Sequence, residues 1–220
     1  MYKLEIFSQY LDNRLKTGLP GLESHLKMTP LNDGKPIRKI VPNPDARVSS
    51  VMILLTESNG AIQVLFTLRS RHLGSHSGQI SFPGGMTESE ETAAQTALRE
   101  VYEEIAIHES QINLIGNLSQ LFVPPSNSII NPIIGTFNHS KVSIIPSPDE
   151  VEEVFFVDIL DFYNPEKFKR EMWNIQGYLC DVPFWDIHSS TPLWGATSMI
   201  LREFLDISHS FFFPEVQNVS

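Results

Sequence analysis

An α/β fold class follows from three features of this 220-residue sequence. β-Rich apolar runs at residues 48–55 and 61–67 lie on either side of an Asn59-Gly60 turn, a helix with clustered carboxylates follows Gly85, and a strong helix ends near residue 207. With 41% apolar residues, a chain of this length has enough core-forming side chains for one substantial domain, burying about 70% of its unfolded surface. The expected division is a helical extension and Pro-rich connection over 1–45, a core over 46–207 and a tail over 208–220.

Each element has a local cause. Leu4, Phe7, Leu11 and Leu15 recur at helical spacing before Gly18-Leu19-Pro20, which predicts a helix over 2–16. The Pro-rich stretch 35–44 leads into a buried strand at 48–55, and Asn59-Gly60 turns the chain into the strand at 61–67, β-rich through residue 69. Residues 69–78 read as a polar loop, 79–82 as a short strand and Pro83-Gly84-Gly85 as a turn. Thr87 or Ser89 is the expected cap of the next helix. Residues 113–122 and 129–137 read as strands around Pro124-Pro125, and 150–157 as a strand leading to a short helix at 159–163. The last helix is expected over 192–207, with Thr191 as N-cap and Pro192 at its first position. No internal repeat or low-complexity run interrupts the chain.

The helix after Gly85 carries the chemistry. At about 3.6 residues per turn, Glu100, Glu103 and Glu104 fall within an arc of roughly 100° and converge on one place. A Glu-rich helix is ordinarily a solvated face. Here Ala94, Ala97, Leu98, Val101 and Ile105 form the apolar stripe, and Glu100 and Glu104 border it, which shields them partly from water. Three like charges so close destabilise a helix, and a bound divalent cation offsets that cost. Hard carboxylate oxygens suit Mg2+ or Mn2+, which bridge to substrate phosphates. Glu91 projects away from Glu100 if the helix extends back to it, and is read as a charge favourable to the helix dipole.

These residues resemble the Nudix hydrolase family, whose box has the form G-x5-E-x7-R-E-U-x-E-E-x-G-U, with U an aliphatic residue. Gly85, Glu91, Arg99, Glu100, Val101, Glu103, Glu104 and Ile107 fit it, and Ala106 stands where the family has glycine. That glycine allows a left-handed backbone at the helix end, a conformation that costs alanine roughly 1 kcal/mol. The stretch before the box is similar to the signature of the coenzyme A diphosphatases in this family: Thr67, Arg69, Ser70, Leu73, His76, Gly78, Gln79, Phe82, Pro83, Gly84 and Gly85 match. Gly74 replaces an arginine of that signature, and Arg71 lies three residues earlier. Residues 147–157 and Trp194-Gly195-Ala196-Thr197 extend the resemblance over roughly residues 48 to 205.

The resemblance implies an α/β/α sandwich, a mixed sheet between helices with the box as loop-helix-loop. It also implies metal-dependent hydrolysis of a diphosphate, most directly coenzyme A or acyl-CoA cut to 3',5'-ADP and 4'-phosphopantetheine. Glu100 and Glu104 are the expected metal ligands, Glu103 a third ligand or general base, and the Gly85 carbonyl a completing ligand. Arg99 is expected to orient the carboxylates. Arg69, Ser70, Arg71, His76 and Gln79 are expected to hold substrate; Glu150, Glu152 and Glu153 are candidates for a carboxylate from outside the box, against their ordinary role as solvated charges at a strand entrance. Two alternatives stand beside this: another nucleoside diphosphate derivative such as ADP-ribose, NADH or a dinucleotide, and a catalytically silent binding module.

Composition bounds the partners. A net charge of -10 disfavours nucleic acid, so positive charge for an anionic substrate must be local, with Arg69 and Arg71 its suppliers. No apolar run reaches the roughly 18 residues of a membrane span, and no signal-like segment begins the chain. The single Cys180 fits a reducing compartment. The expectation is a cytoplasmic protein acting on a small nucleotide, without membrane partners, and a homodimer is left open.

Overall fold

The computed structural model describes residues 3–37, 41–71 and 77–214. In chain order these form α1 (Lys3–Leu15), α2 (Leu22–Lys27), β1 (Leu31–Asn32), β2 (Lys35–Pro36), β3 (Arg47–Ser58), β4 (Ala61–Arg69), β5 (Ile80–Ser81), β6 (Gly84–Met86) and α3 (Ala93–Ile105). There follow β7 (Ile112–Asn117), β8 (Leu121–Val123), β9 (Ser128–Phe137), β10 (Val151–Asp158), β11 (Phe168–Ile175), β12 (Tyr178–Trp185) and α4 (Gly195–Phe212).

The central sheet runs β10-β4-β3-β9-β7, with β5 on β4, β6 on β3 and β8 on β9. It is mixed, because β3 and β9 are parallel while the other pairs are antiparallel. Both faces are covered, which explains why β3 reads as an unbroken apolar run. Ile53 and Leu55 point to a core shared with Phe7, Leu11, Phe66 and Phe204 of the α1 and α4 side. Met52 and Leu54 point the other way, onto Ala97, Val101 and Ile105 of α3. The result is the expected α/β/α sandwich. A second sheet, β11-β12-β1-β2, extends beside it. Among the described residues no helix is long and apolar enough to cross a membrane.

Most local expectations hold, with differences that have physical causes. Asn59 and Gly60 both take positive φ, as a two-residue hairpin with the strands' right-handed twist requires. Gly84–Met86 is a strand instead of a turn, because its backbone pairs with Ser49, Ser50 and Val51 of β3. The run 113–122 is divided into β7 and β8, each pairing with a different part of β9. The last helix begins at Gly195, with Trp194 as N-cap, and not at Pro192. Leu193 is held extended by reciprocal backbone hydrogen bonds with Trp185, which keeps this stretch out of the helix. That helix also continues past Ile207 to Phe212, where Phe211 and Phe212 pack on Phe7.

Candidate functional site

Helix α3 is fixed at both ends. Its N-cap is Thr92, not Thr87 or Ser89: Thr92 Oγ1 accepts from the Gln95 amide at 3.3 Å, and the Gln95 side chain accepts from the Thr92 amide at 2.9 Å. The sequence reading places the cap three to five residues too early; the Thr92-x-x-Gln95 spacing of a capping box is the signal that locates it. At the other end Ala106 adopts φ 58°, ψ 24°, the left-handed conformation that the family's glycine provides. Its amide donates to the Tyr102 carbonyl at 2.9 Å, and Glu104 and Ile105 carbonyls accept from Ser147 and Ile145.

Because the helix starts at Ala93, Glu91 lies outside it and does not project as a continuous helix would demand. Arg99 donates from Nε to Glu91 Oε1 at 2.8 Å and from Nη2 to the Met86 carbonyl at 2.9 Å. Its Nη1 contacts Glu100 Oε1 at 2.8 Å and Glu103 Oε2 at 2.9 Å. Glu91 therefore serves chiefly as the partner of Arg99, correcting its reading as a dipole charge. The guanidinium beside it holds the Glu91 carboxyl down to about 2. The signal for this pairing was present in the sequence as the fixed Glu91-to-Arg99 spacing, but it is the loop before Thr92 that brings them together.

The three box carboxylates do not meet as a ready-made cluster, and no group of three metal-ligating side chains stands assembled among the described residues. Arg99 draws Glu100 and Glu103 to itself, and Glu103 is half exposed. Glu104 lies deeper, 1% exposed, with its Oε1 3.6 Å from Arg69 Nη1. Its Oε2 is buried without a hydrogen-bond partner. Burial pushes the Glu104 carboxyl up to about 8; Arg69 and the Gly84 amide oppose this, and Glu100 and Glu150 add to it. Burial also raises Glu100, opposed by Arg99 and reinforced by Glu103 and Glu150.

Glycine at 85 is required by Glu100. A Cβ on Gly85 would fall 2.3 Å from Glu100 Oε1, so the carboxylate occupies the space a side chain would need. At Gly84 a Cβ would meet the Ser50 carbonyl oxygen at 2.3 Å, which lets β6 lie flush on β3.

The loop of expected substrate residues is pinched at its base, where the Arg69 amide donates to the Gln79 carbonyl at 3.0 Å and the Arg69 carbonyl accepts from the Gly78 amide at 3.1 Å. Ser70 is buried, and its amide donates to the Glu150 carbonyl at 2.8 Å, bringing Glu150 toward the site. Arg71 is exposed and 3.5 Å from Glu152; Glu153 pairs instead with His188 at 3.2 Å. Of the three acids outside the box, Glu150 is the one whose charge acts on both Glu100 and Glu104. His76 and Gly74 lie outside the described residues.

A divalent ion fits this donor set. The candidate ligands are hard oxygens, burial raises the Glu100 and Glu104 carboxyls, and Glu104 Oε2 is buried without a hydrogen-bond partner that a cation would supply.

A sandwich with such a glycine-to-helix site defines a class, and comparison with known proteins gives its family. The NUDIX domain model matches residues 46–176, more than half of the chain, and the protein belongs to this family. Nudix hydrolase 3 of Caenorhabditis elegans is 30% identical over 184 residues, covering 77% of each chain. The peroxisomal coenzyme A diphosphatase of Mus musculus is 33% identical over 123 residues, 56% of this chain and 51% of that protein. This chain thus spans about half the length of the mouse relative. A solved Nudix hydrolase from M. smegmatis, RenU, shares the fold with a TM-score of 0.54 at 15% identity, over 75% of this chain and 87% of that one. Family, fold and site together support diphosphate hydrolysis as the general chemistry.

Proposed function

We propose that this protein hydrolyses the diphosphate linkage of coenzyme A or acyl-CoA, releasing 3',5'-ADP and 4'-phosphopantetheine or its acyl form. The observation that carries the hydrolytic reading is the pairing of a buried, partnerless Glu104 oxygen with Glu100 seated against Gly85. Coenzyme A as substrate rests on the loop signature and on similarity to the mouse peroxisomal diphosphatase and to the mitochondrial coenzyme A diphosphatase of Homo sapiens, 28% identical over 155 residues.

Glu100 and Glu104, with the Gly85 carbonyl, would hold Mg2+ or Mn2+, and Glu103 is the third ligand or the base. A bound ion neutralises diphosphate charge and makes water a better nucleophile. Arg99 keeps Glu100 and Glu103 aimed, its own position fixed by Glu91. Water attacks one phosphorus, its proton passes to Glu103 or Glu150, and the bond to the bridging oxygen breaks. Arg69, at the base of the loop, holds the anionic substrate while balancing Glu104. Arg71, exposed beside Glu152, adds positive charge at the loop's rim.

A panel of coenzyme A, ADP-ribose and NADH, with products separated by chromatography, tests the substrate. Coenzyme A is expected to give the highest kcat/KM. Preference for ADP-ribose or NADH would move the substrate within the family, and no turnover of any would favour a silent binding module.

A further inference from the structure

Ser50 lies in the first turn of residues of β3 and is completely buried. Strand alternation puts Ser50, Met52 and Leu54 on one face, and Met52 and Leu54 pack on Ala97 and Val101 of α3. The register of β3 with β9 is unbroken from Arg47 to Leu55, so no bulge turns Ser50 off this face. Its partner on β6 is Gly85. Directly opposed residues of an antiparallel pair share a face, with Cβ positions about 4.5–5.5 Å apart. The Cβ position of Gly85 is filled by the Glu100 carboxyl, whose Oε1 and Oε2 lie 2.3 and 2.5 Å from it. Ser50 therefore stands beside the Glu100 carboxyl on the α3 face of the sheet.

The Ser50 hydroxyl nevertheless has no hydrogen-bond partner. A buried hydroxyl left unpaired costs stability, and alanine would fill the same space without that cost. Packing alone therefore gives no reason for a serine here. Glu100 is drawn instead to Arg99, whose Nη1 donates to Glu100 Oε1 at 2.8 Å. A cation at Glu100 competes with that guanidinium for the carboxylate. Carboxylates that ligate a metal are themselves held by outer hydrogen-bond donors, and a neutral hydroxyl does this without opposing the ion's charge.

We infer that Ser50 is a positioning residue for the metal site: its hydroxyl donates to the Glu100 carboxylate in the metal-loaded protein and fixes the orientation in which that carboxylate meets the ion. This role rests on the reading of Glu100 and Glu104 as ligands of Mg2+ or Mn2+, and it brings in a group from outside the box.

The test is Ser50→Ala in the whole protein. Free Mn2+ is followed by electron paramagnetic resonance during titration without substrate, and melting is measured separately in chelator. In chelator the variant is expected to melt at or above the wild-type temperature, because the hydroxyl it loses had no partner there. Its Kd for Mn2+ is expected to rise about three- to tenfold, as for the loss of one hydrogen bond. A merely structural hydroxyl would give the reverse, a lower melting temperature with the same Kd. A melting temperature several degrees lower in chelator, or a Kd equal to that of wild type, overturns the role of Ser50. Wild type that binds Mn2+ no better than Glu100→Gln overturns the metal site and Ser50 with it, whereas wild type that binds better and is matched by Ser50→Ala removes Ser50 alone.

Discussion

Arg99 grips Glu91 with two donors, Nε to Oε1 at 2.8 Å and Nη2 to Oε2 at 3.1 Å, while its Nη1 stays on Glu100 and Glu103. Glu91 is itself anchored, since Oε2 accepts from Thr96 Oγ1 at 2.9 Å and from the Glu88 amide at 3.0 Å. Glu91→Gln places amide hydrogens where Arg99 needs an acceptor. The guanidinium then shifts and takes Glu100 with it. The expected result is a fall in kcat of about 10- to 100-fold with KM little changed. Steady-state kinetics check this, and an unaltered kcat would show that Glu91 has no bearing on Glu100.

The two glycines of β6 are predicted to fail differently. Gly85→Ala meets only the mobile end of Glu100, so the carboxylate is displaced and the backbone is not. Activity should drop by about 10² while the melting temperature holds within a few degrees. Gly84→Ala meets the Ser50 carbonyl and Val51 Cα, which cannot step aside without parting the strands. It should destabilise the fold by about 1–3 kcal/mol in thermal or denaturant unfolding. Equal melting temperatures for the two variants would contradict the distinction.

Glu104 should trade stability for activity. Its folded-state carboxyl lies at about 8, above the ordinary 4.5, mainly through burial. The folded chain therefore keeps the proton after the unfolded chain has lost it. The associated stability is full below pH 4.5 and is lost as pH rises toward 8. Glu104→Gln, neutral at every pH, should lose none of it. In chelator, the variant's melting temperature should gain on wild type between about pH 5 and 9, while with Mg2+ present its kcat falls by about 10² or more. A variant with normal turnover would remove Glu104 from the site.

The opposite sign holds at Glu203, which ties α2 to α4. Burial pushes its carboxyl up, but hydrogen bonds from His25, Ser119 and the Gly21 amide outweigh this and hold it below 4.5. Here the unfolded chain takes up the proton first, so stability is present above pH 4.5 and lost as pH falls through the lower folded value. Glu203→Gln should cost about 3–5 kcal/mol near neutrality and flatten the acid limb of the stability curve. Denaturant unfolding at several pH values measures both, and a variant with an unchanged acid limb would contradict the assignment.

The sequence was most readable where chemistry and periodicity coincide. The β3 run, the Asn59-Gly60 turn and the α3 stripe each follow from a local rule, and the structure keeps them. The β11–β12 hairpin was not foreseen. Lys169, Arg170, Glu171 and Asn174 interrupt its apolar pattern, and its pairing is secured partly by Arg170 with Asp181 across the strands. The start of α4 was misplaced because Thr191-Pro192 imitates a helix entry, while the Trp185–Leu193 pairing that overrides it is a long-range contact. At the site, spacing located the three glutamates on one arc but did not reveal that Arg69 and Arg99 divide them. Helical geometry fixes where side chains begin; their partners decide where the charges end.

Glu104 and Glu100 are proposed to direct divalent-metal hydrolysis of the coenzyme A diphosphate. The most direct measurement is product chromatography of coenzyme A incubated with Mg2+ and either wild type or Glu104→Gln, the wild type also in chelator. Stoichiometric 3',5'-ADP and 4'-phosphopantetheine are expected from wild type, none in chelator, and at most about 1% of the wild-type rate from Glu104→Gln. Intact coenzyme A after incubation with folded wild type, or the same products at the same rate in chelator, would contradict it.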